Sequence, residues 1–125
     1  MDAVQTKFFI TGLFFIAIFL LGYWNRRRGR PFNSLLFNAH KLIALAALVY
    51  LSITVYQANQ TAPLNAQQIL AAGVSLALFI ATIIFGGLVS LEKPASMAVR
   101  WVHRLFPYLT ALSSLGTLYL VLEEA

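Results

Sequence analysis

The side chains with the most chemistry in this sequence of 125 residues are its two histidines, His40 and His103. Imidazole is a strong ligand for iron, zinc and copper, and it changes charge near neutral pH. The chain has no cysteine, and no Asp or Glu stands beside either histidine. Two imidazoles alone make a poor zinc site, which needs three or four protein ligands. What the pair can do depends on whether the fold carries both rings to one place.

The elements that must carry them are membrane spans. Hydrophobic residues make up 60% of the chain and charged residues 10%, against roughly 45–50% and 25% in a soluble domain. So short a chain has no water-soluble core large enough to bury that much apolar surface. A bilayer core about 30 Å thick takes about 20 apolar residues as helix. Stretches at 8–24, 39–56, 69–91 and 99–122 qualify or nearly qualify. Their long unbroken runs favour helices over strands. The short connections make neighbours antiparallel, so the expected fold is all-α: one transmembrane domain over 1–125, built as an up-down four-helix bundle. The first stretch reads as a retained span rather than a signal peptide, because its positive charges follow it and no small-residue cleavage motif comes after Leu21.

Charge orients the spans. Eight of the nine Lys and Arg residues fall on the side of the first and third loops: Arg26, Arg27, Arg28, Arg30, Lys41, Lys93, Arg100 and Arg104. Only Lys7 falls on the other side, together with Asp2, Glu123 and Glu124 at the chain ends. The positive-inside rule then places the basic loops in the cytoplasm of a bacterial inner (plasma) membrane and both termini outside. Tyr23, Trp24 and Trp101 mark the inner interface, and Tyr56 and Tyr119 the outer one. The Arg26–Arg30 run directly follows a span, so it fixes topology and is no argument for a nucleic-acid partner. The second loop, Gln57–Gln68, carries no charge, and Pro63 and Asn65 suit a turn and a helix start.

Inside the bundle, small residues mark close approach of helices. The third span offers Gly73, Ala77 and Ala81 at four-residue spacing, with Thr82, Gly86 and Ser90 on a neighbouring face. The fourth offers His103, Pro107, Thr110, Ser114 and Thr117 on one helical stripe, which should face the interior. Pro107 removes a backbone donor and should bend that helix. No Asp, Glu, Lys or Arg lies in the middle of any span. A proton-coupled carrier needs such a residue. Small multidrug transporters share this length but depend on a carboxylate in the first span, which is lacking here.

His40 opens the second span and His103 the fourth. One antiparallel helix separates those spans, so they run in the same direction and both histidines fall at the cytoplasmic end, at similar depth. Two imidazoles facing each other across a bundle complete an axial pair for haem, whose porphyrin supplies the other four ligands. Ile43, Ala44, Ala47 and Leu51 follow His40 on one stripe and leave room for a flat macrocycle. Lys41, Arg100 and Arg104 lie at the same interface, where haem propionates need cations. The competing account is that interfacial histidines beside Lys and Arg are simply the polar ends of helices.

The segments Asn38-Ala39-His40-Lys41-Leu42-Ile43-Ala44-Leu45-Ala46 and Trp101-Val102-His103-Arg104-Leu105-Phe106-Pro107 resemble the histidine-bearing helix starts of membrane-embedded b-type cytochromes. They are similar in style to the cytochrome b561 group, where histidines on paired helices hold haem. The resemblance covers about a third of the chain. That group holds two haems with four histidines, one haem near each face, and this chain has no histidine near its outer face. The resemblance therefore implies at most one haem b, held by His40 and His103, and puts transmembrane electron transfer by this chain alone in doubt.

Three functions compete. The first is a b-type cytochrome: with both axial positions filled, iron has no open site, and electron transfer to or from a quinol or a partner subunit is favoured over oxygen chemistry. The second is a cofactor-free accessory or assembly subunit of a larger membrane complex. The third, a channel or carrier, is disfavoured by the lack of intramembrane charge. Whether a substrate is turned over and whether the chain forms an oligomer stay open at this level.

Overall fold

A computed structural model describes residues 2–28, 34–89 and 97–123. Four α-helices follow one another: α1 (Ala3–Arg28), α2 (Ser34–Thr61), α3 (Ala66–Val89) and α4 (Met97–Leu118), the last running into a π-helical turn at Tyr119–Glu123. No strand occurs among the described residues. All four helices are long and apolar enough to cross a membrane, over Ala3–Arg27, Asn38–Thr61, Ala66–Leu88 and Met97–Leu122. The chain is thus an all-α membrane protein with the four helices that a four-helix bundle requires. Arg30, Ser90, Leu91, Lys93 and Glu124, on which parts of the charge and packing argument fall, lie outside the described residues.

The helices overrun the apolar stretches for local reasons. Asp2 caps α1 reciprocally: its amide donates to Gln5 Oε1 at 3.1 Å, and the Gln5 amide donates to Asp2 Oδ1 at 2.7 Å. Helix α1 therefore starts five residues before the apolar run, and good helix formers carry it through Arg26 and Arg27. Helix α2 continues through the polar residues Gln57–Thr61, because nothing breaks it before Pro63, which disfavours helix at the residue preceding it. The loop expected at Gln57–Gln68 shrinks to Ala62–Asn65. Asn65 then opens α3 with a second reciprocal cap, its amide donating to Gln68 Oε1 at 2.9 Å and the Gln68 amide to Asn65 Oδ1 at 2.8 Å.

The chain divides into two compact units, Met1–Tyr50 and Leu51–Ala125. In the first, α1 and the start of α2 run antiparallel. Phe14 and Tyr50 rings meet at 5.7 Å, and Gly22, near the end of α1, meets His40, near the start of α2. Thr11, Phe15, Ile18 and Asn25 are buried along α1. With Gly22 they form one stripe at steps of four, three, four and three.

In the second unit α3 and α4 pack antiparallel along their length. The buried row on α3 is Gln68, Ala72, Ser75 and Phe79, continued by Thr82 and Gly86. On α4 it is Thr110, Ser114 and Thr117, as expected. Hydroxyls join the two rows. Ser75 Oγ and Thr117 Oγ1 stand 2.8 Å apart, both fully buried. Thr82 and Thr110 each donate to a carbonyl of their own helix, Leu78 O at 2.7 Å and Phe106 O at 2.8 Å, and their oxygens lie 3.2 Å apart. At the far end Gln68 Nε2 donates to Leu120 O at 2.7 Å, satisfying a carbonyl that the end of a helix leaves without a donor. The row Gly73, Ala77 and Ala81 is not the packing face: Gly73 and Ala77 are exposed, and a methyl on Gly73 would meet nothing within 4 Å. Instead α3 turns Ser75 and Thr82 toward Thr117 and Thr110, while Ser114 Oγ is buried with no hydrogen-bond partner among the described residues. Large apolar residues such as Leu70, Ile84 and Leu112 stay exposed, as a lipid-facing surface requires.

Candidate functional site

Each histidine is the seventh residue of its helix, His40 in α2 and His103 in α4, and both are half-buried. A side chain on the neighbouring glycine would crowd both rings, His103 past the closest normal contact and His40 less severely. A methyl built on Gly86 of α3 would lie 2.8 Å from Cε1 of His103, 3.3 Å from Nδ1 and 3.5 Å from Nε2. One built on Gly22 of α1 would lie 3.2, 3.7 and 3.9 Å from Cε1, Nδ1 and Nε2 of His40. Each imidazole thus rests on the bare backbone of the preceding helix, edge first through Cε1.

His103 has a further restraint. Its Nδ1 lies 3.3 Å from the carbonyl oxygen of Thr82, one turn before Gly86 on α3. A carbonyl only accepts, so Nδ1 is the donor in this bond, and in the neutral ring Nε2 then keeps its lone pair. Histidines that bind metals are commonly oriented this way, through a bond from the other ring nitrogen to a carbonyl. Two further features frame the ring. The Phe85 and Phe106 rings meet edge to face at 6.3 Å, one residue before Gly86 and three after His103. Pro107 withdraws the N–H that would otherwise bond the His103 carbonyl, while α4 continues through it.

The basic residues expected around the histidines, Lys41, Arg100 and Arg104, are all exposed. The Arg104 guanidinium lies over the Trp101 ring at 5.7 Å, a cation–π contact that parks it at the helix surface. His40 belongs to the first compact unit and His103 to the second, so each is placed by its own neighbours. Among the described residues no three His, Asp or Glu side chains cluster to hold a metal ion. A metal on these imidazoles would need most of its ligands from a non-protein group.

Sequence reading marked Thr82 and Gly86 as small residues where helices approach closely, but missed Gly22, Asn25 and the contacts of Gly86 and the Thr82 carbonyl with His103. Asn25 lies one turn beyond Gly22, only 7% exposed, and its Oδ1 has no hydrogen-bond partner among the described residues. A glycine interrupting an apolar helical run was the available signal.

The fold and site together define a class, a four-span α-helical membrane protein in which two helices each present a half-buried imidazole seated on glycine. Comparison with protein-family models, curated proteins and solved structures finds no match. The likeness to cytochrome b561 proteins therefore rests on the two histidine-bearing segments alone.

Proposed function

We propose that the protein is a membrane b-type cytochrome carrying one haem b, with His40 and His103 as its two axial ligands. The observation that carries this reading is the Nδ1 contact of His103 to Thr82 O at 3.3 Å, which orients the ring and, in its neutral form, favours the tautomer that leaves Nε2 for a metal. The donor set agrees: two imidazoles with no further protein ligand suit iron whose other positions a porphyrin fills. Lys41, Arg100 and Arg104 would neutralise the propionates, and the buried amide of Asn25 offers a polar contact at the same end of α1 as Gly22. A haem with both axial positions filled supplies one-electron transfer without an open site for oxygen. The chain then passes electrons to or from a quinol or a partner subunit. On this reading it lies in a bacterial inner membrane with both termini outside and the haem near the cytoplasmic face, in line with the eight-to-one split of Lys and Arg.

The test is an absorption spectrum of protein purified in detergent from haem-sufficient cells, oxidised and then reduced. A six-coordinate low-spin b-type spectrum, lost in both His40→Ala and His103→Ala, is the expected result. A well-folded colourless protein, or an unchanged spectrum in both variants, overturns the reading in favour of the cofactor-free accessory subunit.

A further inference from the structure

We infer that the chain is a tandem repeat of one helical hairpin, and that Gly22 and Gly86 are matching seats that make His40 and His103 equivalent ligand positions, one in each repeat. The ligand clause rests on the haem reading above; the repeat and its seats do not.

Helices α1 and α3 correspond at an offset of 64 positions. Phe15-Ile16-Ala17 and Phe79-Ile80-Ala81 are identical, and in each helix a glycine follows the phenylalanine by seven residues, Gly22 and Gly86. Buried positions obey the same offset: Thr11 matches Ser75, a buried hydroxyl in both, and Phe15 matches Phe79. Helices α2 and α4 correspond at an offset of 63, because one residue fewer separates glycine from histidine in the second hairpin. His40-Lys41-Leu42 aligns with His103-Arg104-Leu105, and Tyr56 with Tyr119. Burial again follows the register: Ala47, Leu51 and Thr54 match Thr110, Ser114 and Thr117, all six buried. Both hairpins also open on the same device, a reciprocal cap between a side chain and the glutamine three residues on, Asp2 with Gln5 and Asn65 with Gln68.

The agreement is functional as well as formal. The atom nearest an added methyl is Cε1 of the matching histidine in both hairpins, at 2.8 Å from position 86 and 3.2 Å from position 22. Elsewhere on the helices glycine is not needed for space: Gly12, Gly73, Gly87 and Gly116 have nothing within 4 Å of an added methyl. Each repeat has two spans, so the chain returns to its starting side before the second repeat begins, the parallel class of membrane repeat. Two copies of one ligand position suit a group that accepts two like donors. Iron in a porphyrin does so along its axis, whereas an elongated substrate with different ends does not.

The first test uses the unmodified full-length protein in detergent, without haem and with labelled histidine. Nuclear Overhauser contacts should join Hε1 of His103 to the Gly86 α-protons and Hε1 of His40 to the Gly22 α-protons. Absence of either contact in a spectrum that resolves both rings overturns the proposal. In variants, Gly86→Ala should shift the ring signals of His103 alone and Gly22→Ala those of His40 alone, with Gly12→Ala and Gly73→Ala moving neither. Haemin titrated into the same proteins should bind once per chain. Each seat variant should weaken that binding about tenfold, as loss of an orienting neighbour does, and move the low-spin electron paramagnetic g-values. Seats observed with no haemin bound by the unmodified protein would sink the haem reading and leave the repeat standing. Haemin bound equally by wild type and both seat variants would sink the seats and leave the haem reading standing.

Discussion

The space between Gly86 and His103 is smaller than a methyl group: a Cβ at position 86 would stand 2.8 Å from Cε1 of the ring. Backbone and imidazole edge therefore touch, and the ring cannot stay where it is if residue 86 is anything but glycine. The same construction at Gly22 leaves 3.2 Å to His40, which a small ring movement relieves. Replacing a helical glycine with alanine normally gains up to about 1 kcal/mol of helix propensity. Gly73→Ala, with nothing within 4 Å, should therefore match or exceed wild type in thermal stability. Gly86→Ala should fall below it, and Gly22→Ala should lie between. Melting curves in detergent followed by circular dichroism check the order.

Ser75 and Thr117 form a hydroxyl pair at 2.8 Å in the fully buried seam of α3 and α4. Removing one partner leaves the other hydroxyl without a bond in an apolar setting. Ser75→Ala and Thr117→Val should each destabilise, and the double variant should cost less than their sum. The coupling in a double-mutant cycle should be about 0.6 kcal/mol and at most about 1.7 kcal/mol, the span seen for hydrogen bonds within membranes. A coupling of zero would mean that the two hydroxyls satisfy themselves on their own helices.

The four spans were legible because runs of about twenty apolar residues have few other uses in so short a chain. Their ends were less so: hydropathy stops at Tyr56, but helix α2 stops at Thr61, where the following Pro63 ends it. On α4 the stripe Thr110, Ser114 and Thr117 stood out because polar residues in a leucine-rich helix must turn inward. Its counterpart on α3 was harder. Small-residue spacing offered two rows, Gly73, Ala77 and Ala81 and, on a neighbouring face, Thr82, Gly86 and Ser90; the packed face takes Thr82 and Gly86 from the second and adds Ser75, which spacing alone did not mark. The histidines were visible as rare residue types. Their glycine seats were not, since a contact between residues 86 and 103 is set by how two helices dock, which no single-helix pattern contains.

Gln68 does two jobs at once, accepting from Asn65 N through Oε1 and donating to Leu120 O through Nε2. Gln5 in the equivalent cap of α1 is exposed and makes only the local exchange. Gln68→Glu keeps the cap acceptor, loses the donor and sets a carboxylate against a carbonyl oxygen. That substitution should destabilise by about 1–3 kcal/mol, as a buried group stripped of its partner does, while Gln5→Glu should stay within about 0.5 kcal/mol. Equal effects in urea or thermal unfolding would show that the Leu120 bond contributes nothing.

Topology is open to direct measurement. The eight-to-one distribution of Lys and Arg predicts that reporters fused at residue 125, or inserted between Ala62 and Asn65, behave as external. Reporters placed near Arg28 and near Pro94 should behave as cytoplasmic. Moving charge should move the topology: replacing Arg26, Arg27, Arg28 and Arg30 with neutral residues should give a mixed orientation, because the first span usually dominates the choice. A cytoplasmic residue 125 in the unmodified chain would reverse the assignment and put both histidines at the outer face.

The histidines and their basic neighbours should separate cleanly in a haemin titration. On the proposed haem reading, His40 or His103 replaced by alanine would leave one imidazole and an open iron position, so the low-spin spectrum should give way to a five-coordinate one. Adding free imidazole should restore the low-spin bands, since the missing donor is the only element lost. Lys41, Arg100 and Arg104 are exposed, and a contact to a propionate at the surface is screened by water and salt. Arg100→Gln should therefore weaken haemin binding only a fewfold with the spectrum unchanged. Arg104→Gln should do the same and also lose the contact over Trp101, worth about 0.5–1 kcal/mol at an exposed site. High salt should shrink the effect of both arginine variants and leave the histidine variants as they are. If instead an arginine variant abolishes the low-spin spectrum while a histidine variant retains it, the iron is not held by His40 and His103.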